Sequence, residues 1–198
     1  MKSVKSAFLT PLVLLWSFFC CSLALTVSLA SKKAIPWVLS GIGSDLWSKY
    51  IILFTGNRNM SVTHSSEKSQ QDQIPSEAIF ISNHVSQLDI NAASLAIPHP
   101  IVFLAKESIR KVPILGLLNE RVGTVFINRS DKSGSRKAVF ELKKTLARGI
   151  SVLVFPEGTR SINGELKTFK KGGFHLAVEA DLPVVPLHIH GTRKALPA

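Results

Sequence analysis

Cysteine is almost missing from this chain. Of 198 residues only Cys20 and Cys21 are cysteine, and they are adjacent. Neighbouring cysteines rarely meet disulfide geometry and no others remain to pair with, so there is neither a disulfide framework nor a thiolate metal site. A reducing compartment is compatible with that usage. Acidic residues are scarce: 13 Asp+Glu stand against 24 Lys+Arg, a formal net charge of +11. The deficit favours anionic partners such as lipid headgroups, phosphorylated substrates or nucleic acid. Nucleic acid is set aside, because the chain has no zinc-finger spacing, no basic helix with heptads and no aromatic-rich RNA-binding strand. There is no internal repeat. There is also no Gly-x-Ser-x-Gly elbow, which removes the commonest serine nucleophile of α/β hydrolases.

What is present begins with a long apolar run. Ala7 to Ala30 carries no charge, behind Lys2 and Lys5. A spanning helix needs about 20 apolar residues, so the run is long enough. It exceeds the h-region of a cleaved signal peptide, about 7–15 residues, and a retained anchor is the preferred reading over a signal ending near Ser28-Leu29-Ala30. Lys32 and Lys33 follow, so positive charge flanks both ends and gives no orientation. A second apolar stretch, Ala34 to Phe54, contains Trp37, Trp47 and Tyr50, which suit a membrane–water interface. It reads either as the return arm of a helical hairpin or as an amphipathic helix packed on the globular domain. The expected organisation is membrane-anchoring helices over 1–56, a polar linker over 57–77 and an α/β domain over 78–198. With basic residues around an apolar N-terminus, anionic membrane lipid is the expected surface partner.

From Ala78 onward apolar and mixed segments alternate. Strands are expected at Ala78–Ser82, Ile101–Ala105, Gly123–Asn128, Ile150–Phe155 and Val184–His190. Helices are expected between them at Ser86–Ile97, in broken form across Glu107–Leu118, and at Ser133–Arg148 and Gly172–Ala180. Short continuous apolar strands are those covered on both faces. The alternation predicts an α/β fold, with a largely parallel or mixed central sheet and flanking helices.

Two stretches at strand ends could carry chemistry. In Asn83-His84-Val85-Ser86-Gln87-Leu88-Asp89, His84 is the candidate general base and Asp89 the group that would hold its second ring nitrogen. Five residues of regular helix leave two side chains about 140° apart, so the pair can meet only with His84 in the loop and Asp89 in the first helical turn. Ser86 could then cap that helix. A base and carboxylate without an enzyme nucleophile suggest direct deprotonation of a substrate hydroxyl or of water. In Phe155-Pro156-Glu157-Gly158-Thr159-Arg160-Ser161, Arg160 and the Gly158–Thr159 amides could bind phosphate, with Glu157 orienting a substrate hydroxyl or Arg160 itself. Lys106 and Arg129 end the second and third strands. In a parallel sheet all of these would share the carboxyl rim, where open α/β sheets bind ligands, and Lys and Arg both suit phosphate there. Phe169-Lys170-Lys171-Gly172-Gly173-Phe174 makes a basic entrance to a helix, whose N-terminus favours anions.

These residues resemble the glycerolipid acyltransferase family, in particular the 1-acylglycerol-3-phosphate acyltransferases. The family's His-x4-Asp motif matches His84 to Asp89, its second motif Gly123 to Arg129, and its Phe-Pro-Glu-Gly-Thr-Arg-Ser motif Phe155 to Ser161 without a change. The fourth is matched by Leu182 to Leu187, and the Lys106…Pro113…Gly116 spacing fits too. The resemblance implies transfer of a fatty acyl group from acyl-CoA or acyl-carrier protein to the sn-2 hydroxyl of lysophosphatidic acid, at a membrane, with the catalytic domain facing the cytoplasm. It implies His84 and Asp89 as catalytic, Lys106, Arg129, Glu157, Gly158, Thr159 and Arg160 as substrate-binding, and neither metal nor cofactor. A sibling acyltransferase acting on another lysolipid or on glycerol 3-phosphate, a His/Asp hydrolase and a non-catalytic lipid-binding module are the competing readings. Two departures stand out. Val85 occupies a place usually held by Arg or Gln, and the chain ends at Ala198, where relatives usually continue, which suggests a truncation or a short variant.

Overall fold

The structure, a computed structural model, describes residues 2–56, 60–63, 74–75, 77–127 and 134–197. It opens with one long helix, α1 (Lys2–Ala30). Pro11 to Ala30 has a mean hydropathy of 2.2 over 20 residues, long and apolar enough to cross a membrane. After Ser31 the chain turns back through a 3-10 turn (Lys32–Ala34), α2 (Ile35–Trp37), a π-helical segment (Val38–Ser48) and α3 (Lys49–Phe54). The return arm runs antiparallel to α1. Trp16 packs on Tyr50 and Phe54, and the Trp47 indole N–H donates to Ser17 Oγ at 2.9 Å.

The return arm also packs on the α/β domain. The Ser44 hydroxyl donates to the Ser94 carbonyl at 2.8 Å, and the Asn91 amide donates to Ser48 Oγ at 3.3 Å. The two expectations for residues 34–54, hairpin arm and domain-packed helix, are therefore not alternatives. One segment does both, because it is apolar on more than one face. The stretch expected as a polar linker falls largely outside the described residues.

Five strands form one parallel sheet: β1 (Ile79–Ser82), β2 (Ile101–Lys106), β3 (Val125–Ile127), β4 (Ser151–Val154) and β5 (Val184–Leu187). Their spatial order is β3-β2-β4-β1-β5, and every pairing is parallel. The helices between them are α4 (Asp89–Ala96), α5 (Leu115–Val122), α6 (Gly134–Leu146) and α7 (Gly172–Ala180), with a short α8 (Thr192–Ala195) last. The expected α/β class is what the structure has.

Alternation along the strands divides the core. Ile79, Ile81, Val152 and Val154 pack with Leu142, Leu146, Leu176 and Ala177 of α6 and α7. Phe80 and Leu153 point the other way and pack with Ala93 and Ile97 around α4. β1 and β4 are buried along their whole length. β5 is an edge strand, which accommodates Pro186 because a proline cannot donate to a further ladder.

Three boundaries shift for identifiable reasons. The strand expected from Gly123 begins at Val125, because Gly123 closes α5 with φ +96°. The strand expected to His190 ends at Leu187. There the Asn83 side chain takes over both backbone groups of Ile189, its Nδ2 donating to the carbonyl at 2.9 Å and its Oδ1 accepting from the amide at 2.8 Å. The helix expected from Ser86 begins at Asp89.

The connections fix where a ligand can enter. β1 leads across β4 to β2, whereas β4 leads across β1 to β5, so the chain departs from these two neighbours in opposite directions. Such a switch point leaves a crevice beyond the carboxyl ends of the two strands.

Candidate active site

His84 follows β1 into that crevice, and Asp89 is the first residue of α4. The pair meets as the helix geometry required, base in the loop and carboxylate in the first turn. His84 Nδ1 lies 2.9 Å from Asp89 Oδ2. The same oxygen accepts the amides of Val85 at 2.7 Å and Ser86 at 2.8 Å, while Oδ1 accepts the Thr192 hydroxyl at 2.6 Å. The Asp89 side chain is fully buried. Burial alone would raise its carboxyl, but the hydrogen bonds from His84, Thr192, Ser86 and Val85 outweigh it and hold the group below its ordinary value. A carboxylate accepts and does not donate, so His84 carries its proton on Nδ1 and presents Nε2 as the acceptor. The imidazole also stacks on Phe155, centroids 4.1 Å apart and planes 17° from parallel.

Ser86 does not cap α4 in the expected way. Its hydroxyl oxygen accepts the Leu88 amide at 3.1 Å, which shapes the turn before the helix, and its own proton goes to the Leu196 carbonyl at 2.6 Å. Leu88, the residue that precedes α4, makes no side-chain capping bond to the helix. The Asp89 carboxylate turns back to the loop amides instead.

The second stretch, after β4, is tied to the first. Glu157 is buried, and its two oxygens accept the amide of His84 at 2.8 Å and that of Lys167 at 3.1 Å. The Ser161 amide donates to the His84 carbonyl at 2.7 Å. Glu157 thus braces the histidine loop from two sides. Gly158 has φ +71°, a conformation glycine adopts freely, and its amide donates to the Phe155 carbonyl at 3.0 Å. That amide is therefore occupied, whereas the Thr159 amide has no acceptor among the described residues. Arg160 makes no ion pair with Glu157. Its Nη1 reaches Gln87 Oε1 at 3.3 Å, on the rim of the crevice.

Lys106 ends β2 on the same rim, exposed. β2 is two places from β1, about 10 Å across the sheet, so Lys106 overlooks the crevice without touching His84. Arg129 lies outside the described residues. The turn after Lys106 is tight for a definite reason: a Cβ on Gly116 would fall 2.2 Å from the Arg110 carbonyl oxygen. Two contributors were not legible in the sequence. Thr192 comes 103 residues after Asp89, and nothing local marks it. Phe155 was visible within its motif, but its stacking on His84 was not.

A fixed imidazole base, oriented by a buried carboxylate and open to a crevice, defines a site for deprotonating a bound nucleophile. Comparison with known proteins gives the class a family. The Acyltransferase family model matches residues 63–190, and the chain belongs to that family. It is 38% identical over 120 residues to a 1-acyl-sn-glycerol-3-phosphate acyltransferase of Chlamydomonas reinhardtii, covering 61% of this chain and 36% of that one. It is likewise 38% identical to a chloroplastic 1-acyl-sn-glycerol-3-phosphate acyltransferase of Arabidopsis thaliana, covering 61% and 33%. The chain thus spans about a third of the length of these relatives. Its fold matches the crystal structure of PlsC, the 1-acyl-sn-glycerophosphate (LPA) acyltransferase of Thermotoga maritima. The TM-score is 0.76 at 28% identity, over 100% of this chain and 79% of that one.

Proposed function

We propose that the protein transfers a fatty acyl group from a thioester donor to the sn-2 hydroxyl of 1-acyl-sn-glycerol 3-phosphate, giving phosphatidic acid. The observation that carries this reading is the His84–Asp89 pair at 2.9 Å, set at the switch point of an acyltransferase-family sheet with Nε2 left as acceptor. The names of the relatives support the choice of acceptor.

In this mechanism the acceptor hydroxyl gives its proton to His84 Nε2 as its oxygen attacks the thioester carbonyl. The imidazolium that forms is stabilised by Asp89, whose charge is already held by three further donors. The tetrahedral intermediate collapses with cleavage of the C–S bond, and the departing thiolate takes the proton back from His84. No acyl-enzyme is formed. Arg160, Lys106, the free Thr159 amide and Arg129 are the groups that would hold the acceptor phosphate. Glu157 and Gly158 act by shaping the loop on which the base sits. Metal and cofactor have no part in these steps. The donor is acyl-CoA or acyl-carrier protein. The exposed apolar residues of α1 support a site held against a membrane; the cytoplasmic placement of the α/β domain rests on the resemblance alone.

The test is a paired assay on detergent-solubilised full-length protein, wild type and His84→Ala, with labelled lysophosphatidic acid and either oleoyl-CoA or acyl-carrier protein as donor. Phosphatidic acid from wild type alone is the expected result. Equal product from both proteins would remove His84 as the base. Free fatty acid without acylated acceptor would replace transfer by hydrolysis.

A further inference from the structure

A second cleft lies at the opposite rim of the sheet from His84. It is bounded by the end of α1, the turn into the return arm, the start of β3 and the end of α6, and encloses about 640 Å³. Five cations line it: Lys32, Lys33, Arg121, Lys144 and Arg148. Two carboxylates accompany them, and one is already engaged, since Glu120 is paired with Arg110. None of the five cations has a carboxylate within ion-pair distance among the described residues.

The two arginines are not ordinary surface charges. Arg121 donates through Nε and Nη2 to the Ser28 carbonyl, at 3.0 and 2.9 Å, closing the end of α1 where carbonyls lack helical partners. Arg148 stands beside it. One of its terminal nitrogens, Nη2, is buried with no hydrogen-bond partner. Burial, and then the charge of Arg121, push the Arg148 guanidinium below its ordinary value. Like charges held together partly out of water, without a counter-charge, carry a cost. The cost is removed when an anion enters.

We propose that this cleft is a phosphate-binding site, distinct from the one at His84. Guanidinium groups meet phosphate oxygens in a planar fork, and lysines add point charge around it. The residues that flank the lining in the chain indicate where the phosphate comes from. Leu29 and Trp37, on either side of Lys32, Lys33 and Pro36 in sequence, are 54% and 59% exposed. Exposed apolar and aromatic residues next to a cluster of cations suit the headgroup layer of an anionic bilayer. The favoured source is therefore the phosphate of an anionic lipid, and a free phosphate ion is the other source of the same chemistry. The inference does not depend on the acyl-transfer reading.

Thermal unfolding of the full chain in neutral detergent tests it, with added phosphatidylglycerol, phosphatidylcholine or inorganic phosphate. Phosphatidylglycerol is expected to raise Tm by about 5 °C near saturation, and phosphatidylcholine to leave it unchanged. The rise should persist in Lys106→Gln, which alters the other rim, and fall by at least half in Lys144→Gln/Arg148→Gln. Arg121 is left intact because it also closes α1. Should that double variant fail to fold, the exposed pair Lys32→Gln/Lys33→Gln gives the same readout. A shift with inorganic phosphate alone, lost in the same variants, would keep the site and replace the lipid by a soluble phosphate. A shift that survives both double variants, or no shift with either anion, would overturn the proposal.

Discussion

The helical hairpin and the α/β domain are both rich in apolar residues, and they dispose of them differently. In the domain, Ile79, Phe80, Val102, Val152 and Leu153 are each no more than 2% exposed. On α1, Leu14, Leu15, Phe18 and Phe19 are each more than half exposed, although Cys20 and Ala24 on its other face are buried. The sheet accounts for its own hydrophobicity. Among the described residues nothing covers the outer flank of the hairpin, which is why it reads as the face turned to lipid. The two regions meet at α4. The helix that begins with Asp89 is held by Ser44 and Ser48 of the return arm, so the hairpin and the carboxylate that orients His84 share one support.

That contrast predicts separable losses, and the largest fall on the domain alone. His84→Ala should lower turnover by roughly 10³-fold, the usual scale of general acid–base catalysis, while vesicle binding and Tm stay near wild type. If vesicle binding fell as well, the two regions would not be independent. Asp89→Ala should act on activity and stability together. It strands four donors inside the protein, at a cost of about 3 kcal/mol, or some 6–12 °C in Tm. Circular dichroism melting, alongside the acyl-transfer assay, measures both.

On the hairpin, Leu15→Ser/Phe18→Ser should abolish flotation with liposomes yet leave turnover on micellar lysophosphatidic acid within about 3-fold and Tm within a few degrees, because exposed positions contribute little to folding. A large fall in Tm would show that the flank packs against protein instead of lipid. A smaller effect is expected from Arg160→Gln: a rise of about 10-fold in KM for lysophosphatidic acid with kcat little changed, as for lost uniform binding of a phosphate.

The smallest effect is expected from Thr192→Val, which removes one of the four donors to Asp89. The sign follows from linkage. Asp89 is held below its ordinary value of 3.8 in the fold, so its contribution to stability is complete above that value and lost as pH falls through the depressed folded value. Removing the hydroxyl lets the folded value rise, and acid unfolding should begin at a higher pH. An acid titration followed by tryptophan fluorescence would show it, and identical profiles would remove Thr192 from the network.

Much of this was legible in the residues. The five apolar runs became five strands, and the two at the centre, β1 and β4, are buried on both faces, where parallel strands leave a continuous hydrophobic trace. Helix geometry left His84 and Asp89 one way to meet, base in the loop and carboxylate in the first turn, and that is how they meet. Less legible were the partners that close the site. In the sequence Glu157 reads as a group to orient a substrate hydroxyl or Arg160. It became a buried brace because two backbone amides converge on it from loops that only the sheet brings together.

The sequence by itself determined the element order, the apolar N-terminus, the excess of positive charge and the spacing of His84 and Asp89. These are local properties of composition, period and spacing. Tertiary structure alone decided the strand order, and with it the crevice between β1 and β4 that makes a site of two distant loops. It also decided that Thr192 reaches Asp89, that the return arm packs on both α1 and α4, and that five cations from three parts of the chain face one cleft. Contacts between residues a hundred positions apart depend on how strands cross over one another, and no local pattern of side chains encodes that crossing.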